Sequence, residues 1–282
     1  MPATRQLFPT LFPWLLSGAV ACTVLAVGSA HAAPNKAART GKARAQASLE
    51  EVAVMLSSPD ENEVRTALET AATLPPADVL PMLDDRVRAG LPRVLLDVAI
   101  DSLMLLDDRG SAPLLNDLAR HRRPDVRVRA LEVIGRVAAP TAEQALTNAL
   151  ADQVAEVRKA AADALGELGS RTALAPLERA LTLGVDGAAR ALGRVAKPDE
   201  VPRLLEQIGK VPTATLTPMF AALLPRRDVP EADKLRAVSL LSALGGEEVQ
   251  TALTELSAEL APETPARVKK ALDEAVQKGK SE

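Results

Sequence analysis

The 282-residue chain is poor in aromatic residues and in the side chains that carry most catalytic and metal chemistry. It has no Tyr, one Trp, three Phe, one Cys and two His. Trp14, Phe8 and Phe12 lie close together near the N-terminus, which leaves Phe220 as the only aromatic residue in the rest of the chain. The body of the chain therefore cannot build the stacked aromatic surfaces that bind nucleobases or quaternary ammonium groups. Because Cys22 is alone, an intramolecular disulfide and a thiolate zinc site are both excluded.

The charges are close to balance, with 34 basic and 37 acidic residues. This balance argues against nucleic acid as a partner, because that interaction needs a basic surface. Hydrophobic residues make up 47% of the chain although aromatic residues make up only 1%. A core made of Ala, Leu and Val suits many small helix–helix interfaces better than one large globular centre.

Residues 1–33 have the features of a secretory signal. Arg5 precedes an uncharged apolar stretch, residues 14–28, and Ala30-His31-Ala32 supplies a small-residue cleavage site. We expect a mature chain that starts at Ala33, is periplasmic or extracellular, and has no membrane span once the signal is cleaved. Two alternatives remain open. One is a retained N-terminal anchor, although the apolar run is shorter than the ~20 residues of a span. The other is a lipoprotein, for which Ala19-Val20-Ala21-Cys22 is an imperfect match.

Residues 34–47 contain four basic residues and no acidic residue. This composition predicts a flexible basic linker. Contact between this linker and an anionic surface is the alternative reading. The basic residues are Lys36, Arg39, Lys42 and Arg44.

A sequence pattern repeats along the body of the chain. The segment that starts at Val126 (VRVRALEVIGRV) recurs at Val157 (VRKAAADALGEL), an offset of 31 (157 − 126). Val64-Arg65 and Leu95 fit the same spacing upstream. A fixed period of this length with helical spacing inside each copy is typical of an α-solenoid.

Each repeat predicts a pair of helices, and three pairs are clear: 111–121 with 125–137, 141–151 with 154–168, and 172–183 with 185–195. Asp125 and Thr141 are expected to be N-caps, and Gly169 and Gly184 are expected to end helices in the left-handed conformation. Positions 0, +4, +8 and +11 of the second helix, counted from its Val, are apolar and predict one buried face. Ala at +4 and Gly at +9 allow neighbouring helices to approach closely.

The repeat becomes irregular towards the C-terminus, so we divide residues 48–210, the repeat solenoid, from residues 211–282, irregular helical repeats and a cap. Thr217-Pro218 predicts the start of a short helix that ends at Pro225. Leu244-Gly245 echoes the repeat pattern, and Thr264-Pro265 predicts a last helix that runs to about Gln277. In total we expect about seven antiparallel helix pairs.

The repeated residues resemble HEAT repeats, in particular the short HEAT-like repeats of phycobilisome lyase subunits. The shared pattern is Val-Arg-x-x-Ala, then Leu/Ile-Gly-x-Leu/Val, after a turn that contains an Asp such as Asp60 or Asp152. The resemblance implies an all-α superhelix of the HEAT or armadillo type. It implies no activity, because function depends on the site and not on the fold.

The sequence predicts no catalytic, cofactor or metal site. His121 is the only histidine beyond the signal, and it lies among Arg120, Arg122 and Arg123, where positive charge opposes its protonation. Direct enzymatic activity would need this residue. The acidic pairs of the chain are expected to be ordinary surface carboxylates.

We expect a protein or peptide partner to bind the concave surface, which the second helices line with their +2, +6 and +10 positions. The alternative is that this helix face is merely solvated. Arg65, Arg127 and Arg158 at +1 are expected to pair with acidic residues of the turns instead, and the Arg-rich segment Arg120–Arg129 is an alternative site for an anion. The predicted partner-binding residues are Asp97, Asp101, Glu132, Arg136, Lys159, Asp163, Glu167, Arg190 and Arg194.

These observations lead to two functional hypotheses. The first is an exported, non-enzymatic scaffold that binds a protein or peptide. The second is an accessory subunit of an enzyme or of a chromophore-attachment system, in which a partner chain carries the chemistry.

Overall fold

The computed structural model describes residues 48–279, so the predicted signal (1–33) and basic linker (34–47) lie outside the described residues. The described part is helical and contains no strand. Residues 48–56 form α1. The next helices are α2 (Glu61–Ala71), α3 (Pro76–Ala89), α4 (Arg93–Leu106), α5 (Ala112–Leu118), α6 (Pro124–Val137), α7 (Ala142–Ala149) and α8 (Ala155–Leu168). They are followed by α9 (Leu174–Thr182), α10 (Ala188–Val195), α11 (Val201–Leu205), α12 (Thr213–Leu223), α13 (Glu231–Leu244), α14 (Glu247–Glu259) and α15 (Ala266–Gly279).

The helices form two rows. The even-numbered helices from α2 to α14, which we call the B helices, each pack against the next even-numbered helix. We call the odd-numbered helices the A helices. Several of them pack against the B helix that follows, as α3 on α4, α5 on α6, α7 on α8 and α9 on α10 do, whereas α11 packs on α13. Counted in chain order from α1 and α2, helices α1 to α14 of the described residues make seven successive pairs, and α15 packs on α13 and α14. The predicted all-α solenoid is confirmed.

The apolar pattern of the repeat forms the core. Val126, Ala130 and Ile134 on α6 are at most 3% exposed, and the equivalent residues of α8 are buried as well. The B helices also bury residues between these positions, because each is covered by an A helix and by a B helix on either side. Phe220 is buried on α12, and the rest of the core is almost entirely Leu, Val, Ala and Ile.

The helix N-termini agree only in part with the sequence predictions. Asp60 is the N-cap of α2 and accepts a hydrogen bond from the Asn62 N–H at 2.8 Å. The prediction that Asp125 caps α6 is wrong, because the N-cap is Arg123 and the helix begins at Pro124, two residues before the expected start at Val126. Pro124 occupies its first position, where the fixed φ and missing N–H of proline cost nothing. Thr141 is at the N-cap of α7, but its side chain accepts from Asn116 instead of from an N–H of its own helix.

The helix C-termini follow the repeat closely. Gly169 and Gly184 have φ of 66° and 69°, which confirms the predicted left-handed ends. The same conformation occurs without glycine at Asp107 and Ala138, with φ of 45° and 50°. Asp107, Ala138 and Gly169 follow one another at the period of the repeat, so three B helices end at the same phase.

The C-terminal part departs from the sequence predictions at three points. Helix α10 begins at Ala188, not Val185, because Gly187 adopts φ of 85° before it. Helix α12 begins at Thr213 after Pro212, so the predicted start at Thr217-Pro218 is wrong and Pro218 lies inside the helix. Leu244 ends α13, which packs on α15 among the A helices. The echo at Leu244-Gly245 therefore does not mark a B helix.

None of the helices in the described residues is both long enough and apolar enough to cross a membrane.

Candidate functional site

The predicted partner-binding residues lie on the surface of four consecutive B helices, α4, α6, α8 and α10. We call these nine residues the B face. Asp97 and Asp163 are half-buried and the other seven are exposed. The positions that a single helical periodicity assigned to solvent are thus accessible, and they lie side by side because the B helices stack in order.

Glycine at position +9 brings the B helices unusually close together. A Cβ atom on Gly135 would lie 2.8 Å from the Ala164 Cβ on α8. A Cβ on Gly166 would lie 3.0 Å from the Ala191 Cα on α10, and a Cβ on Gly193 would lie 2.3 Å from the Met219 carbonyl oxygen on α12. The predicted role of this glycine is confirmed, and the close approach sets the spacing between the charged rows of the B face.

The acidic end of the B face is neutralised from within the protein. Arg129 on α6 reaches back to α4, where it lies 3.4 Å from an Asp97 carboxylate oxygen and donates to Asp101. Arg129 is not among the residues that the sequence predicts for this surface. Its position at +3 faces the preceding B helix, and that position together with the two acids one repeat earlier was the available signal.

A second internal ion pair lies in the middle of the B face. The Lys159 ammonium is 2.6 Å from an Asp163 carboxylate oxygen, one helical turn away on α8. The Asp163 side chain also lies against Gly187, where a Cβ would come within 2.7 Å of its Oδ1 atom. Asp163 therefore packs at the start of α10 as well as pairing with Lys159.

The other five residues of the B face have no partner in the part of the chain that the structure describes. Within residues 48–279 their side chains make no hydrogen bond or ion pair, and they span three adjacent helices, α6, α8 and α10. Leu105, at position +10 of α4, adds a large apolar side chain that is 73% exposed. The five unpaired residues are Glu132, Arg136, Glu167, Arg190 and Arg194.

The Arg-rich segment before α6 is built around one well-formed ion pair. Arg127 donates through Nε and Nη2 to the two carboxylate oxygens of Asp152, at 2.9 and 2.8 Å. It also donates to the His121 carbonyl, so it ties its own turn to the turn before α8. The predicted pairing of Arg127 with a turn acid is confirmed. Arg158 instead donates to backbone carbonyls of its own turn, and Arg65 has no such bond within the described residues.

The surroundings of Asp152 keep it ionised. Burial raises the pKa of this carboxyl, but hydrogen bonds from Arg127 and from the Val154 N–H outweigh the burial and leave the pKa below its ordinary value. Asp125 behaves similarly, since Arg123 donates to both of its oxygens and lowers the pKa of Asp125 to about 2.

The surroundings of His121 favour the neutral form of its ring. Burial and the nearby charges of Arg123 and Arg122 lower its pKa from the ordinary value. Its Nδ1 atom accepts a hydrogen bond from the Arg123 N–H at 3.2 Å, which leaves the proton of the neutral ring on Nε2. No carboxylate in the described residues orients this ring. The same part of the chain holds no group of three His, Cys, Asp or Glu that could bind a metal ion.

Comparison of sequences identifies the repeat. Residues 111–187 match the family model for HEAT repeats, which confirms the resemblance read from the Val-Arg pattern. The match covers α5 to α9, the part of the chain in which the spacing of the repeat is most regular. No curated protein matches the chain in sequence.

Three solved structures are similar over most of the chain. Human deoxyhypusine hydroxylase in complex with glycerol is 17% identical with a TM-score of 0.43, over 86% of this chain and 100% of that one. An engineered protein is 18% identical with a TM-score of 0.36, over 83% and 96% of the two chains. A designed armadillo repeat protein is 18% identical with a TM-score of 0.30, over 82% and 99%. At these identities and TM-scores none of the three informs on the function of this chain.

Proposed function

We propose that this protein is an exported, non-enzymatic HEAT-repeat scaffold that binds another protein or a peptide along the B face. The observation that carries the proposal is the group of five charged side chains of both signs that have no partner within the described residues. They cross α6, α8 and α10 in adjacent rows.

The contrast with neighbouring charges supports this choice of surface. Elsewhere on the B face, Asp97 and Asp101 on α4 pair with Arg129, and Lys159 on α8 pairs with Asp163. The unpaired acids and bases alternate between neighbouring helices, with Arg136 on α6, Glu167 on α8 and Arg194 on α10. An extended partner of mixed charge matches this pattern, and polar contacts of this kind fix register and specificity more than they add affinity.

The end of the B face at α10 favours acidic groups on the partner. Arg190 and Arg194 both lie there, and the next B helix, α12, has no charged residue from Thr213 to Leu223. No carboxylate on α12 competes for the two guanidinium groups. We therefore place an acidic segment of the partner at α10, beside the uncharged surface of α12.

Export is proposed from residues 1–33, which have the features of a cleavable signal. The absence of catalysis is proposed from the chemistry of the described side chains. His121, the one histidine among them, is held by a backbone N–H and lacks a carboxylate to orient it as a general base.

An accessory role beside a catalytic partner is the second candidate. The B face would then recognise that enzyme or chromophore-attachment component, and the chemistry would lie entirely on the partner. The identity of a captured partner distinguishes this role from a purely structural scaffold.

The test is quantitative capture from the cell envelope with matched charge variants. The chain with Arg190→Glu and Arg194→Glu is compared with the unchanged chain and with a control that carries Arg109→Glu and Arg171→Glu. The control arginines are also exposed and unpaired within the described residues, but they lie in turns that precede A helices. We expect the α10 variant to lose at least about tenfold of the captured partner, since two charge-assisted contacts become repulsive.

Circular dichroism shows whether each variant keeps its helix content. If the α10 variant and the control variant both keep their helix content and recover every partner equally well, the B face is not the binding surface.

A further inference from the structure

A cleft on a different part of the surface lies between two successive repeats. It has a volume of about 450 Å³. One wall is the segment from Asn116 to Arg122 at the end of α5, and the other is formed by α7 and the turn that follows it. Arg127 also lines the cleft, and Asp152 belongs to the turn that follows α7. The cleft shares no residue with the B face.

The cleft has an excess of positive charge. Three arginines line it, Arg120, Arg122 and Arg127, against the single carboxylate of Asp152. That carboxylate is fully used, because both oxygens accept from Arg127 and Oδ1 also accepts from the Val154 N–H. The side chains of Arg120 and Arg122 make no hydrogen bond or ion pair within the described residues. Two positive charges therefore remain uncompensated at the same opening.

The remaining polar groups of the cleft offer mainly donors. The Nδ1 atom of His121 already accepts from the Arg123 N–H, so Nε2 carries the proton and can donate. The Oδ1 atom of Asn148 already accepts from Gln144, which leaves its amide N–H groups free to donate. Together with two guanidinium groups, these donors match the acceptor-only surface of an oxyanion.

We propose that this cleft binds a small molecule through an oxyanion, either a phosphate or a carboxylate group. Arg120 and Arg122 supply the charge, and His121 Nε2 and the Asn148 amide supply further hydrogen bonds. The volume exceeds that of a bare ion and lies within the range of small-molecule sites. The ligand is therefore an organic anion, with its charged group at the arginines. This site is independent of the proposed partner binding on the B face.

His121 gives a direct readout of occupancy. The charged groups around its ring are Arg122, Arg123, Arg127 and Asp125, with Arg120 and Asp152 in the same cleft. A bound anion adds negative charge next to the ring and favours the imidazolium form, so binding must raise the pKa of His121. A ligand that binds elsewhere leaves that pKa unchanged.

The experiment follows the His121 imidazole signal by NMR in the full chain, with inorganic phosphate and citrate as separate probes and sodium chloride at matched ionic strength as the reference. The signal of His31 is separated by comparison with a His121→Gln chain. We expect a saturable shift with at least one probe and an upward move of the His121 pKa at saturation. The probe that binds more tightly shows whether phosphate or carboxylate is preferred.

Charge variants test whether the anion binds at Arg120 and Arg122. Arg120→Gln with Arg122→Gln should weaken binding at least about tenfold, because two charge-assisted hydrogen bonds are lost. Arg109→Gln with Arg171→Gln makes the same change in net charge at other turns and should leave the affinity unchanged. The proposal fails if neither anion gives a saturable shift beyond that of chloride, or if both double variants bind equally well.

Discussion

Single residues at the ends of the B helices carry a conformational cost that recurs with the repeat. At Asp107, Ala138 and Gly169 the chain turns left-handed, and the N–H of each residue donates to the carbonyl four residues earlier. Only the third position has glycine. For a residue with a Cβ, this conformation costs roughly 1–2 kcal/mol, and the hydrogen bond must offset it.

Ala138→Gly should therefore stabilise the protein. Relief of the left-handed strain outweighs the extra freedom that glycine gains in the unfolded chain, for a net increase of about 0.5–1 kcal/mol in the free energy of unfolding. The change in the free energy of unfolding is measured by urea denaturation, with circular dichroism as the signal. Ala53→Gly, an exposed position inside α1, is the matched control and should lower stability by about 1 kcal/mol. A loss of stability at Ala138 as well would contradict the account.

Three contacts between neighbouring B helices, those of α6 with α8, α8 with α10 and α10 with α12, each depend on one glycine. Ala at +4 and Gly at +9 were identified from the sequence because small residues at helical spacing permit close approach. The distance from each glycine to the next B helix could not be predicted from the sequence. It depends on which atom of the next helix lies opposite, and at Gly193 this atom is a backbone carbonyl that no side-chain rotation can move.

Replacing each of these glycines by alanine should destabilise the protein to different extents. We expect the largest loss for Gly193→Ala, about 1–3 kcal/mol net of the roughly 1 kcal/mol that alanine gains in helix propensity. Gly135→Ala should come next and Gly166→Ala last, following the approach distances of 2.3, 2.8 and 3.0 Å.

The three variants serve as controls for one another, because the chemical change is the same in all of them. Thermal and urea unfolding measure the loss of stability of each variant and so give the order of the three losses. If Gly193→Ala were more stable than the unchanged chain, α10 and α12 would have to lie farther apart than the 2.3 Å approach to the Met219 carbonyl oxygen implies.

At the start of α12, the local sequence predicts the wrong helix boundary. The sequence Thr217-Pro218 predicts the start of a helix, yet α12 begins after Pro212 and continues through Pro218. The buried face of α12, which includes Leu216 and Phe220, explains this. Packing against α10 and α14 compensates for the hydrogen bond that the proline nitrogen cannot donate.

For the whole molecule, export with cleavage of the signal should change the absorbance of the protein at 280 nm. Cleavage after Ala32 removes Trp14, and the remaining chain contains neither Trp nor Tyr. Protein recovered from the envelope should then have almost no absorbance at 280 nm, and its intact mass should correspond to a start at Ala33. Tryptophan absorbance in the recovered protein would indicate a retained anchor. A start at Cys22 with added lipid mass would indicate a lipoprotein.

The sequence by itself determined the period, the helical class, the buried face and the glycine of close approach. The period follows directly from the order of the residues. The other three are properties of residues within one or two helical turns, where volume and polarity act directly on the local structure. Tertiary structure alone decided which charges are free. Arg129 pairs with acids of the preceding B helix, and Arg127 pairs with Asp152 in the turn of the following repeat. The stacking of the repeats brings these partners together. Within the described residues, the same stacking leaves Arg190 and Arg194 unpaired on the B face and Arg120 and Arg122 unpaired in the cleft.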